Sequence, residues 1–397
     1  MPDATPAAAA SRYSGGLGQV EPGFTLAAGP SSPTSGGRSF GVLRLAIVAC
    51  AASAMLAGFW IGLGRLGWEL PHAAAFASLH GPLLISGVFG TLVALERAVA
   101  SGGGWSLAAP ALSVSGSVLL LAGMPVTAGA GAYVLAAAIL TGASLVALWR
   151  QPAAFSATLV AGAAAWLTGS ALWAYGSPVP DVAGWWLAFL VLTVAGERLE
   201  ISRLVPQSRL SLPLFLGAIS ALLLGACAGL FTALGACLSG LGLLALTAWL
   251  IRHDIALRTV HQAGQVRFMA MCMLAGYAWL GAAGILLLAV PPATTAFGYD
   301  MAIHAVLLGF ALSMVFGHAL IILPAVADIH PRFGRALYLP LATLHASVAL
   351  RVASDLLGTG AGRQWSGLVT VAAVAGFAAC IARSTRSTRS HDARTGS

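Results

Sequence analysis

The sequence contains no lysine, and only 8% of its 397 residues are charged. A soluble domain carries roughly 25% charged residues. A chain this poor in charge cannot coat a globule with polar side chains, so an ordinary water-soluble fold is excluded. Paired cysteines are missing too. Cys50, Cys227, Cys237, Cys272 and Cys380 lie singly in apolar stretches, with no C-x-x-C. That pattern excludes a disulfide framework and reads as five small buried apolar residues. The first forty residues lack a charged segment leading directly into an apolar core and a cleavage site, so they do not read as a signal peptide.

What the chain has is apolar length. Its composition is 58% hydrophobic, and many runs approach the ~20 residues that cross a bilayer as a helix. Twelve such spans are expected, at 41–63, 72–99, 105–124, 129–149, 153–175, 182–200, 211–233, 236–251, 267–290, 299–323, 337–357 and 365–383. The pair 211–233 and 236–251 is separated by little polar sequence. The fold class is therefore all-α: a polytopic membrane protein of about twelve transmembrane helices. Residues 1–40, rich in Ala, Gly, Pro and Ser, are expected to be a disordered tail. Residues 384–397 form a second polar tail, and 41–383 form the membrane domain.

The arginines support the count. With the N-terminus inside, seventeen of the twenty fall in the tails, or in or beside the loops after spans 2, 4, 6, 8 and 10. Only Arg65 and Arg363, with Arg351 towards the same end, fall on the opposite side. Cytoplasmic loops collect arginine, so both termini are expected to be cytoplasmic. The expected location is the bacterial inner membrane, with the lipid bilayer as the chief partner. Tryptophans near span ends, including Trp60, Trp68, Trp105, Trp185 and Trp186, read as an interfacial belt.

Span 2 ends Thr91-Leu-Val-Ala-Leu-Glu96-Arg97, and span 6 ends Thr193-Val-Ala-Gly-Glu197-Arg198. Span 10 carries His304 and His318. Polar spans thus recur at a period of four, which suggests three four-helix units.

Ionisable groups inside the membrane are functional candidates by default. At ~1.5 Å per residue, His80 lies roughly 12 Å below the start of span 2 and His304 roughly 8 Å below the start of span 10. Those two histidines share the outer part of the bilayer. His318, fourteen residues after His304, is expected back near the same face and deeper. His345 of span 11 is expected at a similar depth. Two histidines facing each other at one depth suit a six-coordinate haem, whose iron takes an imidazole from each side. Gly87, Gly90, Gly309 and Gly317 supply small residues where a flat ring can approach. The plain alternative is that each histidine hydrogen-bonds a neighbouring helix. The Glu-Arg ends read either as interhelical ion pairs, Glu96 with Arg198 and Glu197 with Arg97, or as a proton or anion path with His318 and His345.

These residues carry a resemblance. His304-Ala-Val-Leu-Leu-Gly309, Met314, Gly317-His318 and then Leu350-Arg351-Val352 resemble the NnrS-type family of twelve-helix haem- and copper-binding proteins linked to nitric oxide metabolism. His80-Gly81 with Gly87 and Gly90 resembles that family's first histidine-bearing helix. More distantly, the topology resembles subunit I of the haem-copper oxidases. The binuclear centre of those enzymes is not implied, because spans 6 and 7 contain no histidine. The resemblance implies haem, of the b type, with copper as a second metal and a small gas or an electron donor as ligand. His80 and His304 are then the axial ligands. His318 and His345 are further cofactor-binding candidates, and Glu96, Arg97, Glu197, Arg198 and Arg351 are polar partners. The rival expectations are a proton-coupled secondary transporter and a structural subunit of a membrane complex.

Overall fold

The structure is a computed structural model that describes residues 35–102, 104–203 and 208–395, with side chains from 41 to 385. Among the described residues there is no strand, and twelve helices are long and apolar enough to cross a membrane. They are α1 (Gly41–Arg65), α2 (Ala74–Ser101), α3 (Gly104–Leu121), α4 (Val126–Arg150), α5 (Ala154–Ala174), α6 (Val179–Ser202), α7 (Ser211–Ala228), α8 (Ala233–His253), α9 (Gly264–Ala289), α10 (Gly298–Ala327), α11 (Arg335–Leu357) and α12 (Gly360–Thr385). The end of the bundle carrying Arg65 and Ala74 is called the upper end below.

Every expected span is present, with end shifts of a few residues. The close pair α7 and α8 is divided at Gly229, whose φ of +84° turns the chain, and at Thr232, whose hydroxyl accepts from the Gly235 N–H as an N-cap. Two boundaries extend beyond expectation. Helical backbone begins at Ser35, inside the expected disordered tail, and continues through the second polar segment to Thr395. The rest of the expected N-terminal tail, 1–34, lies outside the described residues.

The packing follows three runs of neighbours in sequence. Helices α3 to α6 stack successively, as do α7 to α10, and α11 packs on α12. On the outer flank, Phe377 and Ala373 of α12 share a core with Met55 and Phe59 of α1. Helices α2, α6 and α10 stand where the runs meet: α2 touches α10, α6 touches α10, and Arg97 of α2 reaches Glu197 of α6. Burial follows this plan, at 72% of the most apolar window of α6 against 22% of that of α1. α6 is therefore a core helix and α1 largely a lipid-facing one.

Two sequence expectations fail against this packing. Trp186 is fully buried, and Trp166, Trp173 and Trp249 are buried with it, so the tryptophans are not all an interfacial belt. Apolar surface of that size is worth more in a helix core than at the headgroups when neighbouring helices supply small residues; Trp186 fits beside Gly169. Of the cysteines, Cys272 is buried, but Cys227 and Cys237 are exposed, and all five are free thiols.

Candidate haem and polar-network sites

α2 and α10 share a local irregularity. α2 begins as a 3-10 helix, Ala74–Leu79, passes through His80–Pro82, and then runs as π-helix over Leu83–Gly90. α10 runs as α-helix over Gly298–His304 and then as π-helix over Ala305–Leu312. In α2, Pro82 has no N–H to give to the preceding turn, which frees the ladder to re-register. Each π segment thus follows directly on a histidine or one turn below it, and such segments occur frequently at functional sites.

The two histidines meet. The ring centroids of His80 and His304 are 6.5 Å apart, with their planes inclined by 27°. His80 Nδ1 lies 2.8 Å from the carbonyl of Gly58 on α1, and His304 Nδ1 lies 2.8 Å from the carbonyl of Asp300. A carbonyl only accepts, so each Nδ1 carries the proton and donates it. Each Nε2 is then an unprotonated lone pair, and neither has a hydrogen-bonding partner among the described residues. Fixing Nδ1 in this way sets the tautomer and ring orientation that a metal-ligating imidazole needs. Gly62 of α1 makes room for His80, since a Cβ there would stand 2.6 Å from the ring.

Both rings line one cavity of about 820 Å³ between α1, α2, α6, α10 and α12. This volume lies within the range of small-molecule and cofactor sites. Arg65, Arg351, Arg363 and Asp300 stand at its upper end. Arg351 forms a bidentate pair with Asp300, at 2.7 and 2.9 Å. Arg363 pairs with Asp355 at 2.5 Å, and the Asp300 carboxylate also lies 3.4 Å from His304 Nδ1. Arg351 and Arg363 are each matched by a carboxylate here, and Arg65 donates to the Ala77 carbonyl at 2.9 Å.

The other two candidate histidines are placed differently. His318 does not face the cavity; its Nε2 accepts from Arg198 at 3.1 Å and its Nδ1 donates to the Met314 carbonyl at 2.8 Å. The expected return to the His304 face fails because a π segment lies between them. Bonding from i to i+5 takes more residues per turn than an α-helix, so the residues beyond it lag in rotation. His345 also does not meet His318. Its Nδ1 accepts from Trp279 at 3.0 Å, and its Nε2 faces the Ser313 hydroxyl at 3.4 Å, which in turn donates to the Cys272 carbonyl at 2.7 Å. Both nitrogens of each ring are used by the protein, so neither histidine has a free ligating atom.

The Glu-Arg ends divide likewise. Arg97 and Glu197 form the expected ion pair at 3.1 Å. The expected Glu96–Arg198 pair is absent among the described residues. Arg198 is buried and turns instead to His318, with Met273 Sδ at 3.8 Å. The glycines expected to admit a flat ring receive protein instead: Gly90 faces Trp166, Gly309 faces Trp279, Gly317 faces Cys272, and Gly87 faces Ser117 and Tyr133.

Sequence reasoning did not pick out Asp300, Asp355 or Arg363 as site residues. The signal was there: Asp300 precedes His304 by four residues, and Asp355 follows Arg351 by four, so each pair shares one helix face. It also passed over Asp254, a buried carboxylate that accepts from Tyr277 at 2.8 Å and from the Ala256 N–H at 2.7 Å.

A family model described as a domain of unknown function, DUF8744, matches residues 44–386, which include every side chain of this site. No curated protein and no solved structure matches the chain.

Proposed function

The chain belongs to the DUF8744 family, and we propose that it is a membrane haem protein with His80 and His304 as the axial ligands. The observation that carries the reading is the imidazole pair itself. Two imidazoles bound to opposite sides of one metal ion, each at about 2.0 Å, have ring centres roughly 6.4 Å apart. The observed spacing is 6.5 Å, and each ring holds its proton on Nδ1 and leaves Nε2 unprotonated. The apolar walls of the cavity suit a macrocycle, and Arg65 at its upper end suits a carboxylate side chain on that ring.

The ligand set decides between the two roles that a haem supplies here. An iron held by both His80 and His304 would keep no open position for a gas, so the reading favours one-electron transfer over binding of nitric oxide. Copper, which the NnrS-type resemblance also implies, has no group of three or more His, Cys, Asp or Glu gathered for it among the described residues, and the proposal carries haem alone. The protein's own part is to orient the two imidazoles through Gly58 and Asp300 and to exclude water from the lower walls. The proposed setting is the bacterial inner membrane with both termini cytoplasmic, as the arginine distribution favours.

A second reading rests on the lower half of the bundle, where Glu96 stands without an ion pair among the described residues, beside Arg97–Glu197 and Arg198–His318. Such a cluster suits a proton-coupled transporter.

One experiment separates them: visible spectra of detergent-purified protein from haem-replete cells, oxidised and dithionite-reduced. The expected result is a Soret band with sharp reduced α and β bands, lost in both His80→Ala and His304→Ala. A colourless wild type would overturn the haem reading and bring the transporter forward.

A further inference from the structure

The cavity extends well below the histidines. On α2 its wall runs from Ala77 to Leu92, and on α10 from Tyr299 to Val315. Measured from the imidazoles, the walls descend twelve residues on α2 and eleven on α10; eight residues of each stretch are π-helix, whose wider turns rise less per residue, so the depth is below the roughly 16–18 Å of an α-helix. That is about half of a hydrocarbon core of about 30 Å.

Polarity is sorted along this depth. The charged residues and imidazoles of the wall all lie at or above the histidine level. Below it the wall is apolar, formed by residues such as Met55, Val88, Phe89, Leu92, Leu312 and Val315. Among the described residues Thr370 is the one polar side chain there, and its hydroxyl is already committed to Ser347 and Ser366. A compact haem at the upper end would leave this arm without a matching group. Water does not suit an arm with no free polar partner.

We propose that a ring compound bearing a long hydrocarbon chain is bound in this cavity, with the chain in the lower arm. The inference rests on the haem reading for its ring. Two imidazoles with ring centres 6.5 Å apart match the spacing across one haem iron. A phosphate headgroup finds less to hold it, since Arg351 and Arg363 are paired to Asp300 and Asp355. The chain has two chemical sources: a substituent on the haem macrocycle, or the tail of a separate lipid-soluble ring compound that donates electrons to it. Ala52 lies on the lower wall and is exposed, so a larger side chain at this position is the substitution used to narrow the arm.

The test is extraction of purified full-length protein into acidified organic solvent, with mass spectrometry of the haem and lipid fractions. Wild type is compared with Ala52→Trp, and with Ala52→Leu should the tryptophan variant misfold. The expected result is a chain-bearing ring compound in near-stoichiometric amount, lost in the Ala52 variant. Mass places the chain on the haem or on a separate molecule, and either supports the proposal. Plain haem accompanied only by bulk phospholipid, unaffected by the Ala52 substitution, would overturn it and leave the haem reading standing. A haem-free protein that still yields the chain-bearing ring compound, lost in both Ala52→Trp and His80→Ala, would overturn the haem reading and keep the chain site. Recovery of neither compound would overturn both.

Discussion

Gly62→Ala tests the placement of His80 directly. The added Cβ would stand 2.6 Å from Cε1 and 2.8 Å from Nδ1 of the imidazole. Carbon atoms settle at about 3.5–4.0 Å, so the ring must retreat by close to 1 Å. A retreat of that size stretches the 2.8 Å bond from Nδ1 to the Gly58 carbonyl past a useful length. The lost bond costs about 1 kcal/mol, and forcing the packed ring aside costs about 1–3 kcal/mol. Alanine returns roughly 0.5–1 kcal/mol in a helix interior. The net loss is therefore about 1–3 kcal/mol, with a weaker or broadened reduced α band because the ring is no longer aimed. Gly131→Ala is the control: a Cβ there meets nothing within 4 Å, so only the helix gain remains. Stability is read by thermal unfolding in detergent, and ligation by the reduced spectrum. If Gly62→Ala matches Gly131→Ala in both, His80 does not lie against α1 and the axial assignment falls with it.

Removing one partner of the Arg351–Asp300 pair should be costly and removing both less so. Arg351→Leu is expected to lose about 2–4 kcal/mol, and Arg351→Leu with Asp300→Leu to lose at least about 1 kcal/mol less than the sum; a double-mutant cycle of unfolding free energies reads this, and strict additivity would refute the pairing. His318→Leu leaves Arg198 with only the weak Met273 Sδ acceptor among the described residues and should cost about 1–3 kcal/mol, whereas His318→Gln keeps a strong acceptor and recovers part of it. Neither is expected to change the Soret band, and loss of the band in the glutamine variant would return His318 to the ligand set. His345→Phe leaves the Trp279 N–H without a partner and should lower the unfolding temperature with an unaltered haem spectrum; a changed spectrum would contradict the placement of His345 away from the cavity.

Depth was legible in the sequence because the rise of a helix is nearly constant. Counting residues from the start of each span placed His80 and His304 at one level, and the structure brings them together. The Arg97–Glu197 pair was legible for the same reason, both residues ending polar spans at one depth. Rotation was not legible. His318 was assigned to the His304 face by counting 100° per residue, and the π segment Ala305–Leu312 broke that count. The glycines were misassigned because a small residue signals close approach without saying what approaches: Gly309 admits Trp279, not a ligand.

The sequence by itself determined that the chain lives in lipid, how many times it crosses, and which histidines share a depth. Those properties follow from composition, run length and axial rise, each additive along the chain. Only the tertiary structure decided which nitrogen of each histidine is free, that Arg198 serves His318 and not Glu96, and that Asp300 and Arg351 bind at the upper end of the cavity. Those choices are made by whichever side chains the packing of α1, α2, α6 and α10 brings within hydrogen-bonding distance, and no periodicity along one helix specifies its neighbour's azimuth.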